Sequence, residues 1–491
     1  MLFIGLFVSL HKYNYIMRKV RSQTKVIATL GPASNTKEVL LEMIEEGVDV
    51  FRLNFSHSNK DEHKRMINLI NELNVELGLN IAILADLQGP KLRIGEVENN
   101  LIDLQDGDLI NFVTNKCMGT KENLYMSYQE FPMDVNIGDM VLIDDGKLQL
   151  EVLETNRIDC VKARVIHGGP LSSRKGVNLP DTKISLPSMT EEDVENAVFA
   201  IENDVDWIAL SFVRSAFDVS ELKNLIKRKK GKAAVIAKIE KPDALNDLDN
   251  IIKESDAIMV ARGDLGVEIS FDRVPLIQKQ IVQKCIDKAK PVIIATQMME
   301  SMITNFRPTR AEANDVANAV FDGADALMLS GETSVGKYPA ICIRSMQQII
   351  DWTENNGFPY HKEHAPKEKT LEFLPDSICY HACKMAYQTK AKSIVTFSNS
   401  GYTAYKISSH RPEADIFAFT DNKVLIRRMA LVWGVRAFYC KEFDTISDAI
   451  DYTITFLKEK ELIKPDQVMV HVGSVPLQAR GYTNMMKISY T

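Results

Sequence analysis

Ala234-Val235-Ile236-Ala237-Lys238-Ile239-Glu240 and, about one strand later, Ala257-Ile258-Met259-Val260-Ala261-Arg262-Gly263-Asp264-Leu265-Gly266 are the stretches on which the fold turns. Each starts as a short apolar run, the pattern of a strand buried on both faces. Each then ends abruptly in charge. Six more runs share the pattern: Lys25–Leu30, Val48–Phe55, Ile81–Ala85, Asp206–Phe212, Val292–Ala295 and Ala326–Leu329. Between most of them lie segments of helical period, such as Asn59–Leu77 and Thr309–Phe321, and Thr190 with Asp193 forms a capping box ahead of another.

Eight buried runs alternating with helices fit a closed (β/α)8 barrel or an open doubly wound sheet equally well by period alone. The run ends favour the barrel. Arg52, Asn54 and Ser56; Asp86; Ser211; Lys238 and Glu240; Asp264; Thr296; and Ser330 with Glu332 all stand at the ends of runs. Only closure brings nearly every strand end to one face, the C-terminal mouth of a TIM barrel.

The helical period vanishes from about Lys91 to Pro187. Short strand-like pieces replace it, among them Met140–Ile143, Leu148–Glu154 and Lys162–Val165, bounded by Gly89-Pro90 and Leu186-Pro187. The expected organisation is a TIM barrel over 18–90 and 187–352, with a small β-barrel lid domain inserted at 91–186. After a linker rich in Pro, Lys and Glu, a C-terminal α/β sheet domain follows over 353–491, with strands at Ser393–Phe397, Ile416–Phe419, Val435–Phe438 and Val468–Val472. Residues 1–17 read as an extension ahead of a true start at Met17. Their apolar part, Met1–Leu10, is too short to span a bilayer.

A length of 491 residues with 45% hydrophobic content is ample for several cores. A net charge of −7 argues against a general nucleic-acid binder. Seven scattered cysteines without close CxxC pairs fit a reducing cytoplasm, and no stretch approaches membrane length, so a soluble cytoplasmic protein is expected.

Strand alternation puts Lys238 and Glu240 on one side, facing the mouth. Alone, that tripeptide reads as a surface ion pair. Asp264, on the neighbouring strand, changes this: two converging carboxylates repel unless a cation joins them, and hard oxygen ligands suit Mg2+. Gly263 lets a ligand approach the backbone at a helix start. The Thr296 hydroxyl could hold a carboxylate or relay a proton. Arg52 suits bidentate phosphate contact, or else a buried salt bridge with Asp86.

Taken in order and spacing, the motifs resemble pyruvate kinase. They are Ala28-Thr29-Leu30-Gly31-Pro32-Ala33-Ser34, Arg52-Leu53-Asn54-Phe55-Ser56-His57, Asp86-Leu87-Gln88-Gly89-Pro90, Lys238-Ile239-Glu240, Arg262-Gly263-Asp264-Leu265-Gly266, Ala295-Thr296-Gln297-Met298 and Ser330-Gly331-Glu332-Thr333. The similarity runs from about Lys19 to the C-terminus. It implies phosphoryl transfer from phosphoenolpyruvate to ADP, giving pyruvate and ATP, with Mg2+ or Mn2+ held by Glu240 and Asp264. It also implies Lys238 as the catalytic lysine, Thr296 as an aid to enolate protonation, Arg52 on the phosphate, and the Gly263 and Asp264 amides on the substrate carboxylate. Asn54, His57 and Lys175 would serve the nucleotide. A homotetramer is usual in the family.

One departure is informative. Relatives that need K+ carry an acidic residue where this chain has Lys91, and hold the ion with the positions matching Asn54, Ser56, Asp86 and the Leu87 carbonyl. A lysine ammonium supplies a fixed charge instead, so the resemblance is to the branch that works without K+. A second departure, Val335, stands where some relatives have lysine. In the last domain Ser398-Asn399-Ser400-Gly401-Tyr402-Thr403 resembles an effector phosphate loop, with Arg480-Gly481-Tyr482-Thr483-Asn484 as its partner. The expected effector is a sugar phosphate or nucleotide. Two rivals remain: a Mg-dependent barrel lyase or aldolase acting on a pyruvate enolate, and an inactive metabolite-sensing homologue.

Overall fold

The computed structural model describes residues 22–180, 182–362, 364–367, 370–476 and 483–491. The extension 1–17 and Arg480-Gly481-Tyr482 lie outside the described residues. Eight strands close into a parallel barrel: β1 (Lys25–Thr29), β2 (Val50–Asn54), β3 (Ala82–Asp86), β4 (Trp207–Leu210), β5 (Ala234–Ile239), β6 (Ala257–Ala261), β7 (Val292–Ala295) and β8 (Ala326–Leu329). Each pairs with its sequence neighbours, and β1 closes the ring on β8 with Val26 opposite Leu327.

The barrel has two cores. Its interior holds Ile27, Val50, Leu84, Trp207, Ile236, Met259, Ile293 and Met328, and its outer face packs Phe51, Leu53, Val235, Val260 and Ile294 against the helices. This is why the runs are apolar without alternation: both faces are buried. Leu431, from the C-terminal domain, joins the interior core and is fully buried.

Between β3 and β4 the chain builds a six-stranded sheet and a two-stranded sheet around a separate core that includes Phe112, Phe131 and Leu150. The chain re-enters the barrel at α1 (Glu191–Glu202), capped by the anticipated Thr190–Asp193 box. A short helix, α2 (Arg262–Glu268), begins directly at the end of β6. The last barrel helix runs Pro339–Gly357, so helix continues past the expected boundary at 352.

The C-terminal sheet has the order β11-β10-β9-β12-β13, from β9 (Ser393–Phe397), β10 (Asp415–Thr420), β11 (Val435–Tyr439), β12 (Val468–Gly473) and β13 (Met485–Tyr490). The final strand is antiparallel to β12. It was not among the strands read from the sequence, because Met485–Tyr490 is half-exposed and lacks a long apolar run. Among the described residues no helix is long and apolar enough to cross a membrane.

Candidate active site

The barrel mouth gathers the strand-end residues into one charged web. Lys238, on β5, sits at its hub and is 9% exposed. Its Nζ lies 2.9 Å from Glu240 Oε1 and 3.3 Å from Asp86 Oδ1, and it donates to Ser211 Oγ at 2.7 Å. Ser211 in turn donates to the Leu87 carbonyl at 2.6 Å. Arg52 Nε donates to Asp86 Oδ2 at 2.7 Å, and its Nη1 donates to Thr29 Oγ1 at 2.9 Å. The salt-bridge reading of Arg52 is therefore correct as far as Asp86 goes, and it places the guanidinium in the same web as Lys238.

Burial alone would pull the Lys238 ammonium down. The Asp86 and Glu240 carboxylates overcome that and hold it above the usual lysine range. Asp86 is the mirror case: burial pushes it up, and Lys238 and Arg52 bring it below the usual carboxylate range. Glu240 is raised: burial comes first, the Lys238 ammonium pulls back against it without overcoming it, and Asp264 adds a smaller repulsion. Asp264, in the first turn of α2, is thus near enough to be felt by both Lys238 and Glu240.

The web holds two cations, Arg52 and Lys238, against three carboxylates, Asp86, Glu240 and Asp264. One negative charge is left over. A divalent cation between Glu240 and Asp264 would remove their repulsion and turn the balance to one positive charge. The donor set fits Mg2+ for that reason, with water and ligand oxygens completing the shell. Among the described residues no three His, Cys, Asp or Glu side chains form a preformed metal cage.

Two strained residues frame the site. Thr296, just past β7, has φ +67°, and Phe212, just past β4, has φ +54°. For a β-branched or bulky residue this conformation costs about 1–3 kcal/mol and needs support from its surroundings. The support is visible. Thr296 Oγ1 accepts from the Gly263 amide at 2.7 Å and donates to the Ala295 carbonyl at 2.6 Å, while Arg262 donates to the Thr296 carbonyl at 2.8 Å. The Phe212 amide donates to Glu240 Oε2 at 2.6 Å. Both strained residues are thereby tied to the ends of neighbouring strands.

The remaining expected residues are distributed around this centre. Asn54 Oδ1 accepts from the Ser56 amide at 3.1 Å, a local turn, and His57 is exposed. Lys175, on the lid, is ion-paired with Asp144 at 2.8 Å. Lys91 is exposed, its Cε 3.7 Å from where a Cβ on Gly176 would stand, which puts its stem beside the lid. Asp86 takes its cationic partners from Arg52 and Lys238. Glu332, one of the polar run ends, turns back to accept from the Ser330 and Met299 amides and ties its own loop to the one after β7. In the C-terminal domain, the Gly401 amide donates to Ser398 Oγ at 2.9 Å, and Thr403 Oγ1 lies 2.7 Å from Thr483 Oγ1 of the terminal loop. Asn399 and Ser400 are exposed at the tip.

Sequence reasoning gave no role to Phe212, Lys241 or Glu268. Phe212 was hidden because a positive φ at an aromatic has no sequence signature. Lys241 and Glu268 were hidden because each looks like an ordinary helix-terminal charge.

Comparison with known proteins points to one family. Residues 21–343 match the family model described as pyruvate kinase, barrel domain, and residues 376–489 match pyruvate kinase, alpha/beta domain. The chain is 40% identical over 467 residues to a pyruvate kinase of Corynebacterium glutamicum, covering 95% of this chain and 97% of the relative. It is 40% identical over 475 residues to one from Geobacillus stearothermophilus, covering 96% of this chain and 80% of the relative. A crystal structure of a pyruvate kinase from Cryptosporidium parvum superposes with a TM-score of 0.90 at 34% identity, covering 97% of each chain.

Proposed function

The chain belongs to the pyruvate kinase family, and from that premise we propose which residues act as the phosphoryl group of phosphoenolpyruvate passes to ADP, giving pyruvate and ATP. The observation that carries the reading is Lys238 lodged between Glu240 and Asp86 at the end of β5, with Asp264 in the first turn of α2 at the end of the next strand. The barrel lyase and the inactive sensor are not favoured: a lyase needs neither the lid nor a phosphate-binding Arg52, and every residue of the transfer site is present.

Glu240 and Asp264 would hold the divalent cation, Mg2+ or Mn2+, which supplies Lewis-acid stabilisation of the anionic substrate oxygens. Lys238 meets the transferring phosphoryl group, whose loose transition state gains from fixed positive charge more than from covalent help. Arg52 holds the phosphate, anchored by Asp86. The Gly263 and Asp264 amides, at the N-terminus of α2, receive the substrate carboxylate, the Gly263 amide exchanging its bond to Thr296 Oγ1 for the ligand. Once the phosphorus–oxygen bond to the substrate breaks, the enolate takes a proton at its terminal carbon, and Thr296 assists that delivery. Asn54, His57 and Lys175 serve the nucleotide. Lys175 leaves Asp144 at small cost, since a part-exposed pair is worth about 0–1 kcal/mol. The lid excludes water, a competing acceptor.

Turnover runs without K+. The set Asn54, Ser56, Asp86, Leu87 and Lys91 supports this because Asp86 is already paired with Arg52 and Lys238, and Lys91 adds a positive charge where relatives that need K+ have an acid. Steady-state assays in potassium-free buffer with a bulky organic cation are the check. Little activation by added K+ is expected, and Lys91→Glu should create a dependence; strong activation of the unaltered chain would defeat the reading.

The Ser398, Asn399, Ser400, Gly401 and Thr403 loop is an effector phosphate site for a sugar phosphate or nucleotide, as the hydroxyls, the left-handed Gly401 (φ +89°) and the helix Tyr402–Ser409 that follows support. The domain bounds 18–90 with 187–352, 91–186 and 353–491, a homotetramer and a cytoplasmic location complete the proposal.

A further inference from the structure

Beyond its hinges, the lid reaches the barrel at one short helix. α2 opens with Gly263 and Asp264 and closes with Glu268. Glu268 is 4% exposed. Its Oε1 accepts from Lys241 Nζ at 2.6 Å and from Asn178 Nδ2 at 2.7 Å, while its Oε2 is buried without a hydrogen-bond partner among the described residues. Asn178 belongs to the lid, on the two-residue strand Val177–Asn178 that pairs with Met140–Ile143, and stands three residues after Lys175. Lys241 directly follows Glu240, and its ammonium lies 6.0 Å from the centre of the Phe212 ring. The Phe212 amide is the group that holds Glu240. A second lid segment reaches the same helix: a Cβ on Gly146, in the turn that also carries Asp144, would stand 3.9 Å from Val267 Cγ1.

We propose that Asn178, Glu268 and Lys241 form a latch that fastens the closed lid to the helix bearing Asp264, making Glu268 and Asn178 positioning residues for the transfer reaction. The kinetic part rests on the function proposed above. The physical reason is burial. An exposed ion pair tolerates loss of a neighbour, but a carboxylate out of water needs its donors, and among the described residues Asn178 is the only one that comes from the lid. Lid opening therefore strips a donor from a buried charge, and the closed state is favoured by that difference. The same carboxylate anchors Lys241 beside Glu240, so the lid's position bears on the metal-binding carboxylates through two adjacent residues and one helix.

The test uses the full chain with Asn178→Ala, and the swap Asn178→Asp with Glu268→Gln, which keeps one carboxylate and one amide in the trio. Amide hydrogen exchange over 144–147 and 262–268 reads the latch without substrate, and kcat with KM for ADP reads its role in turnover. Asn178→Ala should speed exchange in both segments about tenfold and lower kcat/KM for ADP about tenfold, chiefly through KM, with barrel-strand exchange unchanged. The swap should recover most of both. Unchanged exchange in Asn178→Ala overturns the latch whatever the kinetics. Faster exchange with kcat/KM for ADP within twofold of the unaltered chain overturns the positioning role, as does a swap that recovers neither. If the unaltered chain makes no ATP, the reaction falls, while the exchange result still decides the latch.

Discussion

Lys238 and His471 are both buried bases, and they show how neighbours decide what burial does. Lys238 faces Asp86 and Glu240 and stays charged above its ordinary range. His471, on β12, has among the described residues only a hydroxyl partner, Ser489 at 2.7 Å, and burial with Lys487 nearby pushes it down to about 4. His410 is pushed down further, to about 3, again by burial first. The sign follows from proton counting: between the unfolded value near 6.5 and the folded value, only the unfolded chain holds the extra proton, so stability falls as pH drops through that window. His471 alone should cost about 2 kcal/mol between neutral pH and pH ~5. Thermal unfolding followed across that range checks it, and His471→Gln should flatten the slope. An unchanged slope in that variant would mean the ring is accessible to solvent protons in the folded state.

The first hinge of the lid shows how one turn can matter to chemistry it does not touch. Gly89 has φ +71°, and a Cβ there would stand 2.7 Å from Phe212 Cδ2. Its amide donates at 3.1 Å to Asp193, the same carboxylate that caps α1. The second hinge is held as firmly: Arg214 donates to the Ile184 and Leu186 carbonyls at 2.6 and 2.7 Å. Gly89→Ala adds left-handed strain of about 1 kcal/mol and pushes the Phe212 ring, whose amide aims Glu240. A fall in kcat of about tenfold or more is expected with a much smaller loss of thermal stability, and activity within twofold of the unaltered chain would show that the ring yields freely. The hinge was legible in the sequence as Gly-Pro, and the strand ends were legible because burial on both faces forces an apolar run to stop where charge begins. Phe212 as the link was not, since it depends on a backbone angle and a ring contact across β3 and β4. Nor was the resting place of Lys91: its type is plain in the sequence, but which of two domains its stem lies against is a tertiary matter.

The molecule is joined at its base as well as covered at its mouth. Leu431 stoppers the barrel interior, and Arg411, fully buried, reaches Asp325 at 2.8 Å and the Gly323 carbonyl at 2.7 Å at the foot of β8. Asp325 also accepts from the Trp433 amide at 3.1 Å, so one carboxylate ties the C-terminal domain to the barrel. Such ties pair residues roughly a hundred positions apart and leave no periodic trace, which is why the sequence yielded three domains but not their joints. Between base and lid lies the charged mouth, and the role proposed for the whole rests on Lys238 meeting the phosphoryl group there. The most direct measurement is ATP formation from phosphoenolpyruvate and ADP by the unaltered chain and by Lys238→Met, with Mn2+ binding to both followed by electron paramagnetic resonance. The unaltered chain should make ATP, and the variant should lose roughly a thousandfold in kcat while binding Mn2+ about as well through Glu240 and Asp264. ATP formation by Lys238→Met near the unaltered rate would contradict the role given to that lysine and the mechanism built on it.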